Sequence, residues 1–206
     1  GKYTLGKFEN GYNYSGTEKE RIQDVNWAFN NPEISAIWAS RGGYGCQHLL
    51  RHLKLSEFRE NPKWYIGYSD NTVINSYLLK NNFASIHGQT VKTASFGVSE
   101  GSYEDIFKIL EGKKIYYSVE KHQLNKKGKA EGELIGGNLA LIYALLGTPY
   151  SFDFKDKILF IEDIGENFYA LDRMLISLDL AGVFRKIKGL IIGGMTNMGD
   201  VKENKN

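Results

Sequence analysis

Cysteine, proline and long apolar runs are scarce in this sequence, and each scarcity excludes a class of protein. The 206 residues contain one cysteine, Cys46, so an internal disulfide framework is excluded and a reducing compartment is favoured. The sequence has only three prolines, and 42% of its residues are hydrophobic and 13% aromatic. This composition is typical of an ordinary globular protein. No apolar run approaches the roughly 18 residues that suggest a membrane-spanning helix.

The sequence also lacks a large excess of charge of either sign. Its 26 basic and 24 acidic residues leave a formal net charge of +2, which provides no electrostatic footprint for nucleic acid. The basic run at residues 126–129 is more typical of a solvated turn than of a binding patch. No signal peptide is visible, although the sequence begins at Gly1 rather than at methionine. We therefore expect neither a nucleic acid nor a membrane as a partner.

Apolar runs alternate with helical patterns along the chain, which predicts an α/β fold with parallel strands joined by crossover helices. The predicted strands share an apolar character and lie at residues 34–39, 64–68, 84–87, 114–119, 157–162 and 189–193. The first helix begins at a capping box formed by Thr17 and Glu20. Later helices are predicted directly after Ser69, at residues 103–110, at residues 138–146 and along an apolar stripe from Leu171 to Leu178.

A polar and less regular middle region predicts a division into two domains. Residues 1–95 form the predicted N-terminal domain, and residues 96–206 form a linker and a C-terminal domain. Within the second domain, Gly136 and Gly137 predict a turn before a helix. The polar tail at residues 200–206 is interpreted as a frayed or cut end.

One serine stands on a sharp predicted turn between a strand and a helix. The apolar strand at residues 64–68 runs through Gly67, and a helix is predicted to start at once after Ser69. Such a turn pushes a serine hydroxyl out of the sheet, above a helix N-terminus, as in a nucleophile elbow. The elbow pattern Gly-x-Ser-x-Gly is only partly met, because Asn71 occupies the position of the second glycine. The alternative interpretation is that Ser69 is a helix N-cap.

Three glycines follow another predicted strand, in the run Arg41-Gly42-Gly43-Tyr44-Gly45. This run lies at the carboxyl edge of the predicted sheet, where ligands bind in open α/β folds. Glycines let a backbone approach a substrate and aim its amides inward. These amides and the amide after Ser69 predict an oxyanion hole. Two alternatives remain, a plain turn with positive φ and a phosphate cradle, although the usual phosphate-binding patterns are not met.

Two carboxylates end the predicted strand at residues 157–162. A carboxylate at such a position can orient a histidine, as the third member of a catalytic triad does. Equally, Glu162 or Asp163 can cap the following turn. Cys46 is a rival nucleophile because helix N-termini activate thiolates. It is predicted inside the helix after the glycine run, however, so a small buried cysteine is the favoured interpretation.

The four histidines supply no convincing general base. His48 and His52 are four residues apart, but the His-Glu-x-x-His pattern and a third ligand are lacking, so no metal site is predicted. His87 ends a predicted strand and is a candidate base, although a satisfied polar residue at a strand end is the favoured interpretation. His122 lies in a polar loop.

Taken in order, these segments resemble the serine LD-carboxypeptidase family, which also contains the microcin-C immunity peptidases. The resemblance extends over nearly the whole chain, and its order makes it more specific than any single motif. The matching stretches are residues 15–17, 20–21, 36–37, 41–45, 66–70, 87–88, 131–139, 147–150, 158–163, 172–175 and 189–193.

The resemblance implies a bacterial cytoplasmic peptidase that cleaves the amide between an L-centre and a D-amino acid. The usual substrate of the family is a murein tetrapeptide, which loses its terminal D-alanine during cell-wall recycling. A flavodoxin-like or glutamine-amidotransferase-like sheet is implied for the first domain, with a catalytic site between two domains and a homodimeric assembly. Carried over by motif, Ser69 is the nucleophile, Glu162 orients the base, and the amides of Gly43 and Asp70 form the oxyanion hole. No metal or organic cofactor is implied.

One departure from the family pattern concerns the base. The catalytic histidine of the family lies past the last predicted strand, and the opening strand of the family also has no counterpart here. We therefore expect a piece of a longer enzyme that lacks both ends and has no measurable activity alone. Two alternatives stay open: a hydrolase of peptidyl or aminoacyl adenylates, and a non-catalytic muropeptide-binding module.

Overall fold

The computed structural model describes residues 1–8, 14–96 and 100–199 of the chain. Two units, Gly1–Leu110 and Glu111–Asn206, divide it, and each has its own parallel sheet. The predicted α/β class with parallel strands in two regions is confirmed. The predicted domain limits at residues 95 and 96 stay a prediction, and the tail at residues 200–206 lies outside the described residues.

The described residues contain seven α-helices, five strands and three 3₁₀-helices. The helices are α1 (Glu18–Asn30), α2 (Ser56–Glu60), α3 (Thr72–Lys80), α4 (Glu100–Leu110), α5 (Leu139–Leu145), α6 (Phe168–Leu180) and α7 (Val183–Lys186). The strands are β1 (Ala36–Trp38), β2 (Trp64–Ile66), β3 (Leu134–Asn138), β4 (Ile158–Ile164) and β5 (Gly189–Thr196). The 3₁₀-helices are Cys46–His52, Ser69–Asn71 and Val91–Phe96. None of these helices has both the length and the apolar character needed to cross a membrane.

The first unit begins its regular structure where the sequence predicts it. The Thr17 amide donates to Glu20 Oε2 at 2.8 Å, and the Glu20 amide donates to Thr17 Oγ1 at 3.3 Å, which is the predicted capping box of α1. Strand β1 then pairs in parallel with β2, with Ala36 opposite Trp64. Both strands are shorter than predicted, but both are present.

Aromatic packing fixes β2, the strand that precedes Ser69. Phe29 of α1 contacts Phe58 of α2 and Tyr65 of β2 edge-on, with ring centroids 5.3 and 6.1 Å apart. All three side chains are buried, so they anchor β2 in the core of the first unit. Strand β2 thereby delivers the residues that follow it to a defined place at its carboxyl end.

The second unit is a three-stranded parallel sheet in the order β3-β4-β5. Burial alternates along β4, so Leu159, Ile161 and Asp163 face the core while Glu162 lies on the other, half-buried side. Helix α5 contacts both β3 and β4 and buries Leu139 and Ile142. The predicted strands at residues 157–162 and 189–193 and the predicted helices at residues 138–146 and 171–178 are confirmed.

Three predictions about local structure are wrong. Residues 84–87 contribute only one parallel bridge, between Ile86 and Ile66, because the chain soon turns into the 3₁₀-helix at Val91–Phe96. Residues 114–119, which the structure describes, form no strand, and Tyr116 and Tyr117 are exposed. An apolar segment without a neighbouring strand cannot complete the backbone hydrogen bonds of a sheet.

The third wrong prediction is a reversal of the chain at Gly136 and Gly137. These two residues instead form the middle of strand β3. A Cβ atom on Gly136, whose φ is +124°, would lie 1.9 Å from the carbonyl oxygen of Phe160 in β4. These glycines therefore permit a close approach of two strands rather than a reversal of the chain.

Candidate active site

Ser69 adopts a backbone conformation that is rare for a residue with a side chain. It lies two residues after the end of the segment Ile66-Gly67, begins the 3₁₀-helix Ser69–Asn71 and has a φ of +59°. Positive φ in a non-glycine residue costs on the order of 1–3 kcal/mol and is concentrated at functional sites. An N-cap residue needs an extended backbone, and the cap position of this helix is occupied by Tyr68. The interpretation of Ser69 as a helix cap is therefore wrong, and the sharp strand-to-helix turn is present.

The glycine run lies against this serine. A Cβ atom built on Gly42 would be 2.9 Å from Ser69 Cβ and 3.1 Å from Ser69 Oγ, so only glycine leaves the hydroxyl undisturbed. Gly43, the next residue, is exposed and has a φ of +117°. The structure thus brings the run at residues 41–45 and the turn at Ser69 together, as sequence reasoning predicts for two neighbouring strand ends.

Asp70 and Asn71 continue the chain into α3 with buried side chains. The Asp70 amide lies in the first turn of a short helix, where backbone donors lack intrahelical partners. The side chain of Asn71 donates to the carbonyl oxygens of Tyr68 at 3.0 Å and Arg41 at 3.2 Å. Sequence reasoning treated Asn71 only as a departure from the elbow pattern and missed these contacts.

Arg41 is a second residue that sequence reasoning left without a role. Its side chain is exposed, its Nε donates to the carbonyl oxygen of Gly42 at 3.2 Å, and its guanidinium lies over Gly43. A fixed positive charge therefore stands next to the turn that contacts Ser69. Its position directly before the glycines was the signal in the sequence.

Cys46 is unsuited to act as the nucleophile. It is half-buried at the start of the 3₁₀-helix Cys46–His52. Burial and the neighbouring Asp70 carboxylate raise the pKa of its thiol well above the usual value. The side chain therefore stays a neutral thiol, which is a poor nucleophile. The interpretation of Cys46 as a small buried cysteine is met only in part, because the residue is half-buried, but its neutral thiol favours a packing role over that of a nucleophile.

Glu162 and Asp163, which the sequence could not tell apart, have different surroundings. Asp163 is buried, and its carboxylate accepts hydrogen bonds from Asn138 Nδ2 at 2.8 Å, from the Ala140 amide at 2.9 Å and from the Ile164 amide at 2.9 Å. It therefore holds the N-terminus of α5 in place. Glu162 faces the other side of the sheet and is half-buried.

The environment of Glu162 disfavours its negative charge. Burial, and after it the charge of Asp163, raise the pKa of Glu162 to about 7. The register between β4 and β5 shifts between Ile161 and Asp163, and a Cβ atom on Gly193 would lie 3.4 Å from Glu162 Cβ. Register irregularities of this kind are frequent next to active sites, where they aim a side chain.

The four histidines all lie within the described residues, and their surroundings differ. The ring of His87 packs against Tyr68, with centroids 6.2 Å apart, but burial lowers its pKa to about 4, which is far from the value of an efficient base at neutral pH. His48 lies 3.4 Å from Glu18 Oε2, and His52 and His122 are exposed. Over residues 1–8, 14–96 and 100–199, no group of three or more metal-ligating side chains is assembled.

A serine on a strained strand-to-helix turn, in contact with a glycine turn at the edge of a parallel sheet, is the arrangement typical of α/β serine hydrolases. Comparison with known proteins is more specific. Residues 2–88 match the family model of the LD-carboxypeptidase N-terminal domain, and residues 131–206 match the family model of the LD-carboxypeptidase C-terminal domain. The chain belongs to the LD-carboxypeptidase family.

Individual relatives agree with this assignment. The chain is 34% identical to a probable murein peptide carboxypeptidase of Bacillus subtilis (strain 168), over 98% of this chain and 65% of that protein. It therefore spans a little less than two thirds of that relative.

Two solved structures are also similar. A muramoyltetrapeptide carboxypeptidase from Oxalobacter formigenes has a TM-score of 0.79 and 29% identity, over 92% of this chain and 66% of that chain. The protein MccF, in complex with glutamyl sulfamoyl guanosine, has a TM-score of 0.81 and 27% identity, over 98% of this chain and 70% of that chain.

Proposed function

We propose that this protein is a serine LD-carboxypeptidase, which releases the terminal D-alanine of a murein tetrapeptide by hydrolysis of an L,D-amide bond. The observation that carries the proposal is the contact between Gly42 and Ser69, whose backbone is held at a φ of +59°. The names of relatives as murein peptide and muramoyltetrapeptide carboxypeptidases support this substrate class.

In the proposed reaction, Ser69 Oγ attacks the carbonyl carbon of the scissile amide and gives up its proton to a base. The amides of Gly43 and Asp70 stabilise the oxyanion of the tetrahedral intermediate. The amide C–N bond then breaks, and D-alanine leaves as its amine takes up the proton from the base. A water molecule hydrolyses the acyl-enzyme and regenerates the hydroxyl of Ser69.

We propose that Glu162 orients the histidine that acts as base. Burial leaves the Glu162 carboxylate poorly solvated, so a neighbouring imidazolium would stabilise its negative charge in place of water. None of the four histidines of this chain fits that role, because His87 has a pKa of about 4 and the others are exposed or engaged with Glu18. We therefore expect the 206-residue chain alone to lack measurable activity.

Arg41 supports a carboxypeptidase rather than an endopeptidase. An exopeptidase must recognise the free carboxylate one residue beyond the scissile bond, and a guanidinium binds carboxylates with two hydrogen bonds. The exposed Arg41 side chain lies beside Gly42 and Gly43, next to Ser69.

We also propose, from the family resemblance, that the protein works as a homodimer in the bacterial cytoplasm on murein peptides.

The experiment that tests the function measures D-alanine release from a murein tetrapeptide by the full-length gene product. We expect turnover that falls by about a millionfold in Ser69→Ala, as for a nucleophile in another serine hydrolase. The exposed Ser95 provides the matched control, since Ser95→Ala also removes one hydroxyl of the first unit. Tetrapeptide binding without turnover would instead support a non-catalytic binding module.

A second candidate activity is hydrolysis of a peptidyl or aminoacyl adenylate. It is favoured by the similarity to MccF, which was solved in complex with glutamyl sulfamoyl guanosine. The same Ser69 chemistry would serve both substrates. A comparison of kcat/KM for an aminoacyl adenylate and for the tetrapeptide separates them, and a higher value for the adenylate would replace the carboxypeptidase proposal.

A further inference from the structure

We propose that the buried side chains of Asp70 and Asn71 are positioning residues, which clamp both ends of the glycine turn to the chain directly after Ser69. The glycine turn is defined here as residues 42–45. The inference about position stands on hydrogen bonds alone, whereas its consequence for catalysis rests on the proposed function.

Asn71 holds the first end of the glycine turn. Its Nδ2 donates to the carbonyl oxygen of Arg41, the residue before the turn, at 3.2 Å. The same nitrogen donates to the carbonyl oxygen of Tyr68, the residue before Ser69, at 3.0 Å. One amide group therefore spans the two chain segments whose separation sets the distance between the turn and the serine.

Tyr65 fixes the orientation of that amide. The Tyr65 hydroxyl donates to Asn71 Oδ1 at 2.5 Å, so the nitrogen of the amide must face the two carbonyl oxygens. Tyr65 and Asn71 are only 5% and 3% exposed, which makes a broken bond in this network costly. Gly67 leaves room for the side chain of Asn71, because a Cβ atom on Gly67 would lie 2.8 Å from Asn71 Cγ.

Asp70 holds the second end of the glycine turn. Its Oδ2 accepts a hydrogen bond from the amide of Cys46, the residue after the turn, at 2.8 Å. Asp70 is 3% exposed. Two consecutive side chains thus tie both ends of a six-residue segment, from Arg41 to Cys46, to the elbow.

Such a clamp matters because part of the turn faces solvent. Gly43 and Tyr44 are exposed, and Gly43 and Gly45 have positive φ angles. Donors of an oxyanion hole must be held within about 0.5 Å of their productive positions. Arg21 also contacts the turn, through a 3.2 Å hydrogen bond to the Gly45 carbonyl, but it comes from α1 and does not link the turn to Ser69.

A purely structural role would make the same side chains important for stability alone, so the test needs a readout that stability does not move. Asn75 provides the matched control. It is a buried asparagine one turn further along the same part of the chain, and its 3.1 Å hydrogen bond goes to the Gly67 carbonyl rather than to the segment from Arg41 to Cys46. Both Asn75→Ala and Asn71→Ala remove a buried amide and are expected to destabilise the protein, Asn71→Ala more, because it breaks three hydrogen bonds rather than one.

The first measurement is the backbone amide order parameter of Gly42 and Gly43 by NMR, in the 206-residue chain. We expect Asn71→Ala to lower these order parameters from a rigid value near 0.85 towards the flexible range below about 0.6, and Asn75→Ala to leave them unchanged. Tyr65→Phe, which keeps the ring in the core, should have a smaller effect in the same direction and serves if Asn71→Ala does not fold. Unchanged order parameters in both Asn71→Ala and Tyr65→Phe would overturn the proposal.

The second measurement is tetrapeptide hydrolysis by the full-length gene product. We expect Asn71→Ala and Asp70→Ala to lower kcat by up to about 100-fold with little change in KM, because displaced donors weaken the transition state rather than substrate binding. Asp70→Asn, which retains an acceptor oxygen, should recover part of the loss. A change in KM alone would overturn the catalytic consequence. If the wild-type protein releases no D-alanine while the NMR contrast persists, the proposed function fails and the clamp stands.

Discussion

The two units use glycine and buried charge for different purposes. In the first unit, Gly42 leaves space for the hydroxyl of Ser69. The buried side chains of Asp70 and Asn71 bind the glycine turn to the chain that follows Ser69. In the second unit, Gly136 leaves space for the backbone of the neighbouring strand, and buried Asp163 holds the N-terminus of a helix. The same residue types therefore position a reactive side chain in the first unit and stabilise the packing of strands and helices in the second.

The strongest change is predicted for a glycine of the second unit. Gly136→Ala would place a Cβ atom 1.9 Å from the Phe160 carbonyl oxygen, and at a φ of +124° the new side chain is strained as well. We expect a loss of at least about 4 kcal/mol in the free energy of unfolding, measured by urea denaturation. Gly128, which has open space around it, is the control position. If Gly136→Ala is no less stable than Gly128→Ala, the division of roles between the two glycines is wrong.

The next effect is on activity rather than on stability. Gly42→Ala would place its Cβ atom 2.9 Å from Ser69 Cβ, and the serine must move to relieve the contact. A displacement approaching 1 Å at a reacting group costs about 100-fold in rate. We expect this loss in kcat for D-alanine release by the full-length gene product, with a smaller loss of stability than in Gly136→Ala. Gly101→Ala, at an exposed position with open space, should retain full activity; a similar loss there would contradict the prediction.

The smallest expected effect concerns the pH dependence of stability. Burial and Asp163 raise the pKa of Glu162 to about 7, above the unfolded value of 4.5. The contribution of Glu162 to stability is therefore fully present below pH 4.5 and is lost as the pH rises through 7. Glu162→Gln removes this loss, so we expect it to stabilise the second unit at pH 8 by about 1 kcal/mol, after allowance for solvent screening, and to have no effect at pH 4.

Urea denaturation of the wild type and of Glu162→Gln at both pH values checks this sign. Glu133 offers a control carboxylate in the same unit, since it is exposed and paired with Lys157. Stabilisation by Glu162→Gln that is equal at pH 4 and pH 8 would show that the charge of Glu162 is not the cause.

Much of the first unit could be predicted because its signals are local. The capping box of Thr17 and Glu20 and the strand that ends before Ser69 depend on residues a few positions apart. The two strand ends that carry Ser69 and the glycine turn could be placed at one edge because parallel pairing brings carboxyl ends together. The role of Asn71 could not be predicted, since its partner, the Arg41 carbonyl, is 30 residues away in the chain.

The second unit was harder to predict at single positions. Two adjacent glycines are equally compatible with a turn and with a close strand contact, and the position of Phe160 decided between them. Likewise, the apolar run at residues 114–119 has strand character, but no neighbouring strand pairs with it among the described residues.

Short-range spacing was enough to predict the α/β class, the order of the main elements and the serine at the strand-to-helix turn. The family resemblance came instead from the order of matching segments along nearly the whole chain. The folded chain was needed to show that Gly42 touches Ser69, that Asp70 and Asn71 bond to the two ends of the glycine turn, and that Asp163 is buried while Glu162 is half-buried. These features depend on contacts between distant segments, and a linear pattern does not specify which backbone or carboxylate comes to lie against which neighbour.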